Sequence, residues 1–368
     1  MVGENENPSH FYALSKEITI MNQYMKSILA SATLVVATLT LSTTTNAASI
    51  KKASTSTIHN RVARTYSYAK KMIKENKTGL SDQTSDIFSK KLNPDTGAAA
   101  GYSDFLLGLK GNGYKFTTKE KTLLRKNLVI KKTTPAAMMA NAVMAVQAMG
   151  LNARNYKPYG HKKGINLVTK LYKTSISKQT VSAQSQVLIA VSMSSKFKQP
   201  KGAKFSKASL SARLVKSQLN NHGWTYNNQQ GAKDADTTSM VLTGLARGNV
   251  HTTNVKTSML KGQKFLAGIA QPSGAFGYTF NGKTTPNANS TAEAIIALSN
   301  DSGMKKYVNN AAMKVSQTRT PLYAMLTYVN KSGSIKNAAT QLYGVGQVNL
   351  AVAAYKAALK NRSVYTIN

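Results

Sequence analysis

The run Asp-Ala-Asp-Thr-Thr-Ser-Met-Val-Leu-Thr-Gly-Leu, residues 234–245, starts with polar side chains and continues with small and apolar ones around most of a helical circumference. Helices of this kind are buried on all sides. Similar segments recur when the chain is laid over itself with Asp236 as the reference. The matching positions are Ala100, Ala140, Ser182, Asp236, Asn289 and Gly346. The sequence therefore predicts six buried helices.

Amphipathic, lysine-rich segments separate the buried ones, and they can face solvent on one side. They cover residues 119–130, 163–172, 207–219, 255–269 and 304–315. This alternation predicts an all-α fold, an α6/α6 toroid in which an outer ring of helices surrounds an inner ring. No alternating run is long enough to predict a sheet. We expect one toroid domain over 58–368, preceded by a flexible basic leader over 48–57.

The first 47 residues have the pattern of an export signal. Lys26 precedes an apolar run over 28–41, and small residues follow at 46–48. The run is shorter than the roughly 20 residues that a membrane-spanning helix needs, so we expect cleavage rather than anchoring. The pattern predicts a secreted, extracellular protein.

The chain carries 49 Lys and Arg against 13 Asp and Glu, a formal net charge of +36. Outside the cytoplasm, such an excess favours a polyanionic partner. Anionic cell-wall polymers and lipid headgroups supply a phosphate-rich field, and nucleic acid is not expected in that compartment. The protein is therefore predicted to be retained at the cell wall by charge, and the alternative is a solvated surface without a partner.

Several kinds of chemistry are excluded or unsupported by the residues present. The chain has no cysteine, which excludes disulfides, thiolate metal sites and cysteine nucleophiles. The five histidines show no paired spacing, so no metal site and no cofactor is predicted. The chain contains no serine nucleophile elbow and no phosphate-binding loop.

Two glycine–aromatic turns, each followed by a polar helix start, resemble the repeats of the squalene cyclase and prenyltransferase superfamily. The first is His222–Tyr226 followed by Asp234–Thr238, and the second is Gln271–Tyr278 followed by Asn289–Ala294. The resemblance is clear over about 205–300 and implies an α/α toroid. It leaves the chemistry open, because similar toroids occur in triterpene cyclases, prenyltransferase subunits, cobalamin carriers and secreted bacterial proteins of undefined activity.

The candidate catalytic residues are Asp236 and Asp234. Prenyltransferases hold a catalytic zinc partly through cysteine, which this chain lacks. Squalene-hopene-type cyclases use Asp-x-Asp-Asp, whose third position protonates an alkene; Asp236 occupies that position, and Thr237 replaces the fourth Asp. A proton-donating carboxyl must stay neutral, whereas a helix start favours the anion. We therefore interpret Asp236 first as an N-cap, with ligand contact and acid catalysis as alternatives.

Two interpretations are open for the acidic residues on the buried segments. Asp104 and Glu293 lie four residues after Ala100 and Asn289, so they hold equivalent repeat positions. With Asp234 and Asp236 they would line one mouth of the toroid as a ligand-binding cluster. In the alternative, each carboxylate pairs with one of the many lysines.

The aromatic residues of the two turns also have two interpretations. Trp224, Tyr226, Phe276 and Tyr278 would line an apolar cavity, where ring faces stabilise a cation. More often, a turn of this type packs between adjacent outer helices and sets their spacing. The second interpretation is favoured.

Three functions remain. The favoured one is a non-enzymatic, secreted toroid that binds an apolar or amphiphilic small ligand or an anionic surface polymer. The second is a cyclase-like enzyme with Asp236 as the general acid. The third is a lyase or hydrolase acting on an anionic polysaccharide, with His222, Tyr226 and Asn289 as candidate residues.

Overall fold

The computed structural model describes residues 49–77, 87–88, 102–230, 232–280 and 282–367. The expected export signal and the repeat position Ala100 lie outside these ranges. The described part is helical apart from one small sheet, so the all-α expectation is confirmed. Within these ranges, no helix combines the length and the apolar character that crossing a bilayer requires.

Thirteen α-helices lie in the described part. They are α1 (Thr55–Glu75), α2 (Ser103–Gly111), α3 (Thr118–Asn127), α4 (Ala136–Ala148), α5 (Leu167–Lys173), α6 (Val181–Val191), α7 (Lys207–Lys216), α8 (Ala235–Gly248), α9 (Thr253–Ile269), α10 (Ala288–Ser299), α11 (Lys306–Asn309), α12 (Pro321–Thr327) and α13 (Gln341–Leu359). A 3₁₀ turn covers Ala153–Asn155.

The expectation that no sheet forms is wrong for one hairpin. Strands β1 (Phe276–Phe280) and β2 (Lys283–Asn287) pair antiparallel, with Phe276 opposite Asn287. The turn between them includes Gly282, whose φ is 75°. Glycine adopts this left-handed conformation without steric cost, which allows the tight turn of a two-strand ribbon. The strands are too short to show a convincing alternation of apolar and polar residues, so the sequence did not predict them.

Six helices contact one another in cyclic order, and we call them the central helices. The order is α2, α4, α6, α8, α10 and α13, and α13 in turn contacts α2. Most side chains of the central helices are buried. The repeat positions Ala140, Ser182, Asp236, Asn289 and Gly346 all lie on central helices, as the sequence predicts.

Helix α1 precedes the first central helix, and the other remaining helices lie between central ones along the chain. Helix α1 contacts α13 and α2, α5 contacts α4 and α6, and α7 contacts α6 and α8. Helix α9 contacts α8, and α11 and α12 contact α10. Of the predicted amphipathic segments, 304–315 forms only the short α11, because the chain after it runs on to pair Thr318 with Lys51.

The contact between α2 and α13 depends on two glycines. A Cβ on Gly108 would lie 2.8 Å from the Leu350 backbone nitrogen and 3.0 Å from the Gly346 carbonyl oxygen. A Cβ on Gly346 would lie 3.1 Å from the Cα of Phe105. Only hydrogen fits between the two backbones, so glycine allows the first and last central helices to meet.

The segment expected to be a flexible leader, 48–57, is held by hydrogen bonds in its described part. The Lys51 backbone N–H donates to the Thr318 carbonyl at 2.8 Å, and the Ala53 N–H donates to Oδ1 of Asn309 at 2.9 Å. Ser54 caps α1 by accepting from the Thr57 N–H. Caps and turns use the same Ser and Thr residues that are common in flexible segments. The composition of this segment therefore suggested a flexible leader.

Candidate functional site

Asp234, rather than Asp236, is the N-cap of helix α8. Its Oδ1 accepts from the Thr237 N–H at 2.8 Å, and its Oδ2 accepts from the Thr237 hydroxyl at 2.6 Å. The backbone of Asp234 is extended and forms a β-bridge with Tyr278 in the hairpin. The helix therefore starts two residues earlier than expected, and the interpretation of Asp236 as the cap is wrong.

Asp236 lies in the first turn of α8, directed at helix α10. Its Oδ2 accepts from the Ser290 hydroxyl at 3.1 Å, while its Oδ1 is buried and has no hydrogen-bond partner in the described part of the chain. Burial, together with the nearby charge of Asp234, raises the pKa of Asp236 to about 7. The expectation that the helix start would favour the anion is therefore overturned, because desolvation outweighs the one hydrogen bond.

Asp104, Asp236 and Glu293 interact electrostatically, and we call these three residues the carboxyl cluster. They come from α2, α8 and α10, which are far apart in sequence. Burial raises the pKa of Asp104 to about 6, against the effect of a hydrogen bond from Ser103. Burial, and then the charges of Asp104 and Asp236, raise the pKa of Glu293 well above its usual range. Buried carboxyls with Glu293 repelled by both neighbours cannot all ionise cheaply, so the cluster retains protons near neutral pH.

Neutral amides support the cluster from helix α13. The Gln347 side-chain amide donates to Oε1 of Glu293 at 2.8 Å, and Oε1 of Gln347 accepts from Asn289. No lysine pairs with the cluster, since the one ion pair among the described residues joins Lys71 and Glu75 at 4.0 Å. Among the described residues, the alternative in which each of these carboxylates pairs with a lysine therefore finds no support.

The predicted equivalence of Asp104 and Glu293 is also corrected. Asp104 is the second residue of α2, as Asp236 is of α8 and Asn289 is of α10. Glu293 lies one turn further along its helix. The offset arose because the first repeat was aligned on Ala100, ahead of the actual helix start.

Tyr365 is a residue of this region that the sequence analysis missed. Its side chain is 5% exposed, and burial followed by the charges of Asp104 and Glu293 raises its pKa, with Arg247 acting in the opposite direction. The tail that carries it is anchored by a bond from Arg247 Nη2 to the Thr366 hydroxyl and by one from the Ile367 N–H to the Met193 carbonyl. The repeats end before this tail, so the repeat pattern did not include Tyr365. The feature that could have indicated a buried tail is the apolar pair Val364 and Ile367 on either side of the tyrosine.

The candidate aromatic residues divide into two buried and two exposed side chains. Trp224 and Phe276 are fully buried, whereas Tyr226 and Tyr278 are about half exposed. The Trp224 indole N–H donates to the Leu214 carbonyl at 2.7 Å, and a Cβ on Gly262 would overlap its ring. Trp224 thus packs between α7 and α9, as the favoured interpretation predicts, and the four rings do not line one enclosed cavity.

The two turns are structural equivalents. The Thr238 hydroxyl accepts from the Trp224 N–H at 3.0 Å and donates to the Trp224 carbonyl at 3.1 Å. Thr291 makes the same pair of bonds to Phe276, at 3.0 and 3.3 Å. Each threonine ties an aromatic turn to the central helix that follows it, which gives the polar helix start a structural role.

The candidates for polysaccharide cleavage are not joined by any described hydrogen bond. His222 is exposed in the first turn, and Asn289 is bonded to Gln347. In the described ranges, no group of three or more histidine or acidic side chains is arranged to hold a metal ion.

Two cavities are described, and neither is lined by the carboxyl cluster. One, of about 10 Å³, lies among Leu242, Met259, Gln263, Leu266, Ala297, Leu298, Asp301 and Met304. The other, of about 210 Å³, is lined by Arg125, Leu151, Asn152, Asn155, Tyr156 and Lys157. The larger one opens to the surface, and its lining includes the cationic residues Arg125 and Lys157.

Comparison with known proteins gives a distant structural likeness. No protein-family model matches the chain, and no curated protein matches its sequence significantly. The apo type II terpene cyclase MstE from Scytonema is similar, with a TM-score of 0.48 and 11% identity over 80% of this chain and 98% of that one. A variant of MstE in complex with geranylgeranyl dihydroxybenzoate, its substrate, gives 0.46 and 12% over 82% and 98%. A likeness at these values gives no information about the chemistry of this chain.

Proposed function

We propose that the protein is a secreted α6/α6 toroid that binds an anionic polymer of the cell envelope through its basic surface, without catalysis. The cyclic contacts of the central helices and the packing of the other helices around them support the toroid. The apolar run ahead of residues 46–48 supports export.

The observation that carries the proposal is the separation of charge between interior and surface. Among the described acidic residues, Glu75 alone has an exposed side chain. The others are buried or partly buried, as in the carboxyl cluster and in Glu120, which closes the capping box of α3. Among the described residues, the surface cations therefore have one exposed acidic neighbour, Glu75 beside Lys71, and the rest of their field is uncompensated there.

Binding to such a polymer is expected to weaken steeply with salt. Cations that neutralise polymer charges release counterions, so the logarithm of the affinity falls in proportion to the logarithm of the salt concentration. With six or more contacts, the loss between about 50 and 200 mM salt reaches roughly a thousandfold, by analogy with nucleic-acid binding. The measurement is retention of the purified protein on cell walls across a salt series.

Walls stripped of their anionic polymers are the control, and they should retain little protein at any salt concentration. Retention that ignores salt, or equal retention on stripped walls, would contradict the proposal.

A second function, acid catalysis at Asp236, rests on a separate observation. The Oδ1 atom of Asp236 is buried and has no partner among the described residues, while Oδ2 accepts from Ser290. The raised pKa, about 7, keeps part of the carboxyl protonated at neutral pH, and a protonated carboxyl is what a general acid in a cyclase-like reaction requires.

Turnover of linear prenyl substrates tests this second function. If Asp236 is the acid, Asp236→Asn is expected to lower the rate by at least about a hundredfold while the chain stays folded. Asp301→Asn, which removes a carboxyl bonded to Gln263 away from the cluster, is the control and should keep full activity. An inactive wild-type protein, or an active Asp236→Asn variant, would end this alternative.

A further inference from the structure

The cavity of about 210 Å³ lies between the end of α3 and the 3₁₀ turn, in a stretch without acidic residues. No Asp or Glu occurs between Glu120 and Asp234, and the lining includes Arg125 and Lys157. Its volume of about 210 Å³ has room for several water molecules. It is large enough for one anionic group together with part of the unit that carries it.

Arg125 is held in a fixed orientation that leaves its outer nitrogens available. Its Nε–H donates to the Lys157 carbonyl at 2.7 Å, and its own carbonyl accepts from the Tyr159 N–H at 3.0 Å. The two Nη groups make no hydrogen bond within the described residues. A guanidinium fixed through Nε and open at Nη is suited to a phosphate or carboxylate group, because ordering it costs little on binding.

The surroundings of Arg125 supply further groups that suit a charged sugar or polyol. Asn152 and Asn155 are exposed at the cavity, and their side-chain amides can donate hydrogen bonds. Beside it, Tyr159 is 52% exposed, and Lys126 Nζ lies 4.5 Å from the centre of its ring. Cations, amides and an accessible aromatic face are therefore combined at one place.

We propose that this cavity binds one anionic repeat unit of the envelope polymer, a phosphodiester or a uronate, with Arg125 as the residue that contacts the anion. The inference rests on the proposed function and adds to it a defined site, in place of diffuse attraction by the whole surface.

The test measures the affinity of the full chain for two short probes, a glycerol phosphate oligomer and a galacturonate oligomer, near physiological salt. We expect the wild-type protein to bind at least one probe at one site, and the tighter probe identifies the source of the anion. Arg125→Gln should weaken binding about tenfold or more. Arg362→Gln removes the same charge from an exposed arginine outside the cavity and should change affinity less than about twofold.

Two more variants separate a built site from general electrostatics. Arg125→Lys keeps the charge and loses the planar fork, so it should also weaken binding several-fold. Lys157→Gln removes a cation from the lining but keeps the backbone carbonyl that holds Arg125, and it should weaken binding even if Arg125 variants fold poorly.

The outcomes distinguish the inference from the proposed function. Equal effects of Arg125→Gln and Arg362→Gln, or full affinity in Arg125→Lys, overturn the cavity and leave polymer binding intact. The cavity is also overturned, and polymer binding kept, if the wild-type protein binds neither short probe but still binds the whole polymer at low salt. Failure to bind the whole polymer at low salt overturns both.

Discussion

Gly108→Val is expected to lower the free energy of unfolding by roughly 3 kcal/mol or more, at the upper end of overpacking effects. A Cβ on Gly108 would approach the Leu350 backbone nitrogen to 2.8 Å, and a valine adds two further methyl groups at that point. Neither backbone can move without parting α2 from α13. We therefore expect a lower urea midpoint and a less cooperative transition, followed by circular dichroism.

Gly268→Val is the matched control for this prediction. Gly268 lies near the end of α9, and a Cβ built on it meets no atom within 4 Å. The same substitution there changes stability by a few tenths of a kcal/mol, since glycine is itself a poor helix residue. Equal stability of the two variants would show that contact between the first and last central helices contributes little to the fold.

The free energy of unfolding is expected to fall as pH rises from about 4 to above 7. Burial raises the folded-state pKa values of Asp104, Asp236 and Glu293, and neighbouring carboxylates raise those of Asp236 and Glu293 further. At a pH above the ordinary carboxyl pKa and below the raised folded-state pKa, the folded chain holds protons that the unfolded chain has released. The stabilisation is therefore complete below pH 4 and is lost as pH rises through the folded-state values near 6 and 7.

Asp236→Asn is expected to raise stability at pH 8 by roughly 2 to 4 kcal/mol and to reduce the slope between pH 5 and pH 8. The upper figure follows from a shift from 3.8 to about 7, at about 1.4 kcal/mol per unit. Glu75→Gln, at an exposed position, is the control and should leave the slope unchanged. The measurement is urea unfolding at several pH values. A stability that is flat or rises over this range would contradict the charge arrangement of the cluster.

Much of the helical architecture could be predicted because burial follows a helical period. Segments such as 138–149 and 294–298 are apolar or small on most sides, and they form the buried α4 and α10. The aromatic turns were also interpretable, since Trp224 packs as expected of a glycine–aromatic turn. The hairpin was missed because each strand is only five residues long, too short to show a convincing alternation. The helix start was missed because Asp234 and Asp236 are both suitable caps by residue type, and only the bonds from Thr237 to Asp234 decide between them.

The candidate site was predicted in its residues but not in its chemistry. The positions of Asp104, Asp236 and Glu293 on buried segments pointed to a shared location. Their protonation could not be predicted from their positions near helix starts. Those positions give only the local hydrogen bonds and the helix dipole, which favour the anion, whereas burial raises the pKa. Tyr365 was missed since it belongs to no repeat.

By itself, the sequence determined that this chain is helical, that buried helices alternate with lysine-rich ones, and that its charge is strongly positive. These properties depend on the composition and order of neighbouring residues. Only the tertiary structure decided that three carboxyls share one desolvated region, that glycines let α2 meet α13, and that Arg125 presents free nitrogens at a basic cavity. Each depends on distances between residues far apart in the chain, and electrostatic energy and close packing depend on those distances.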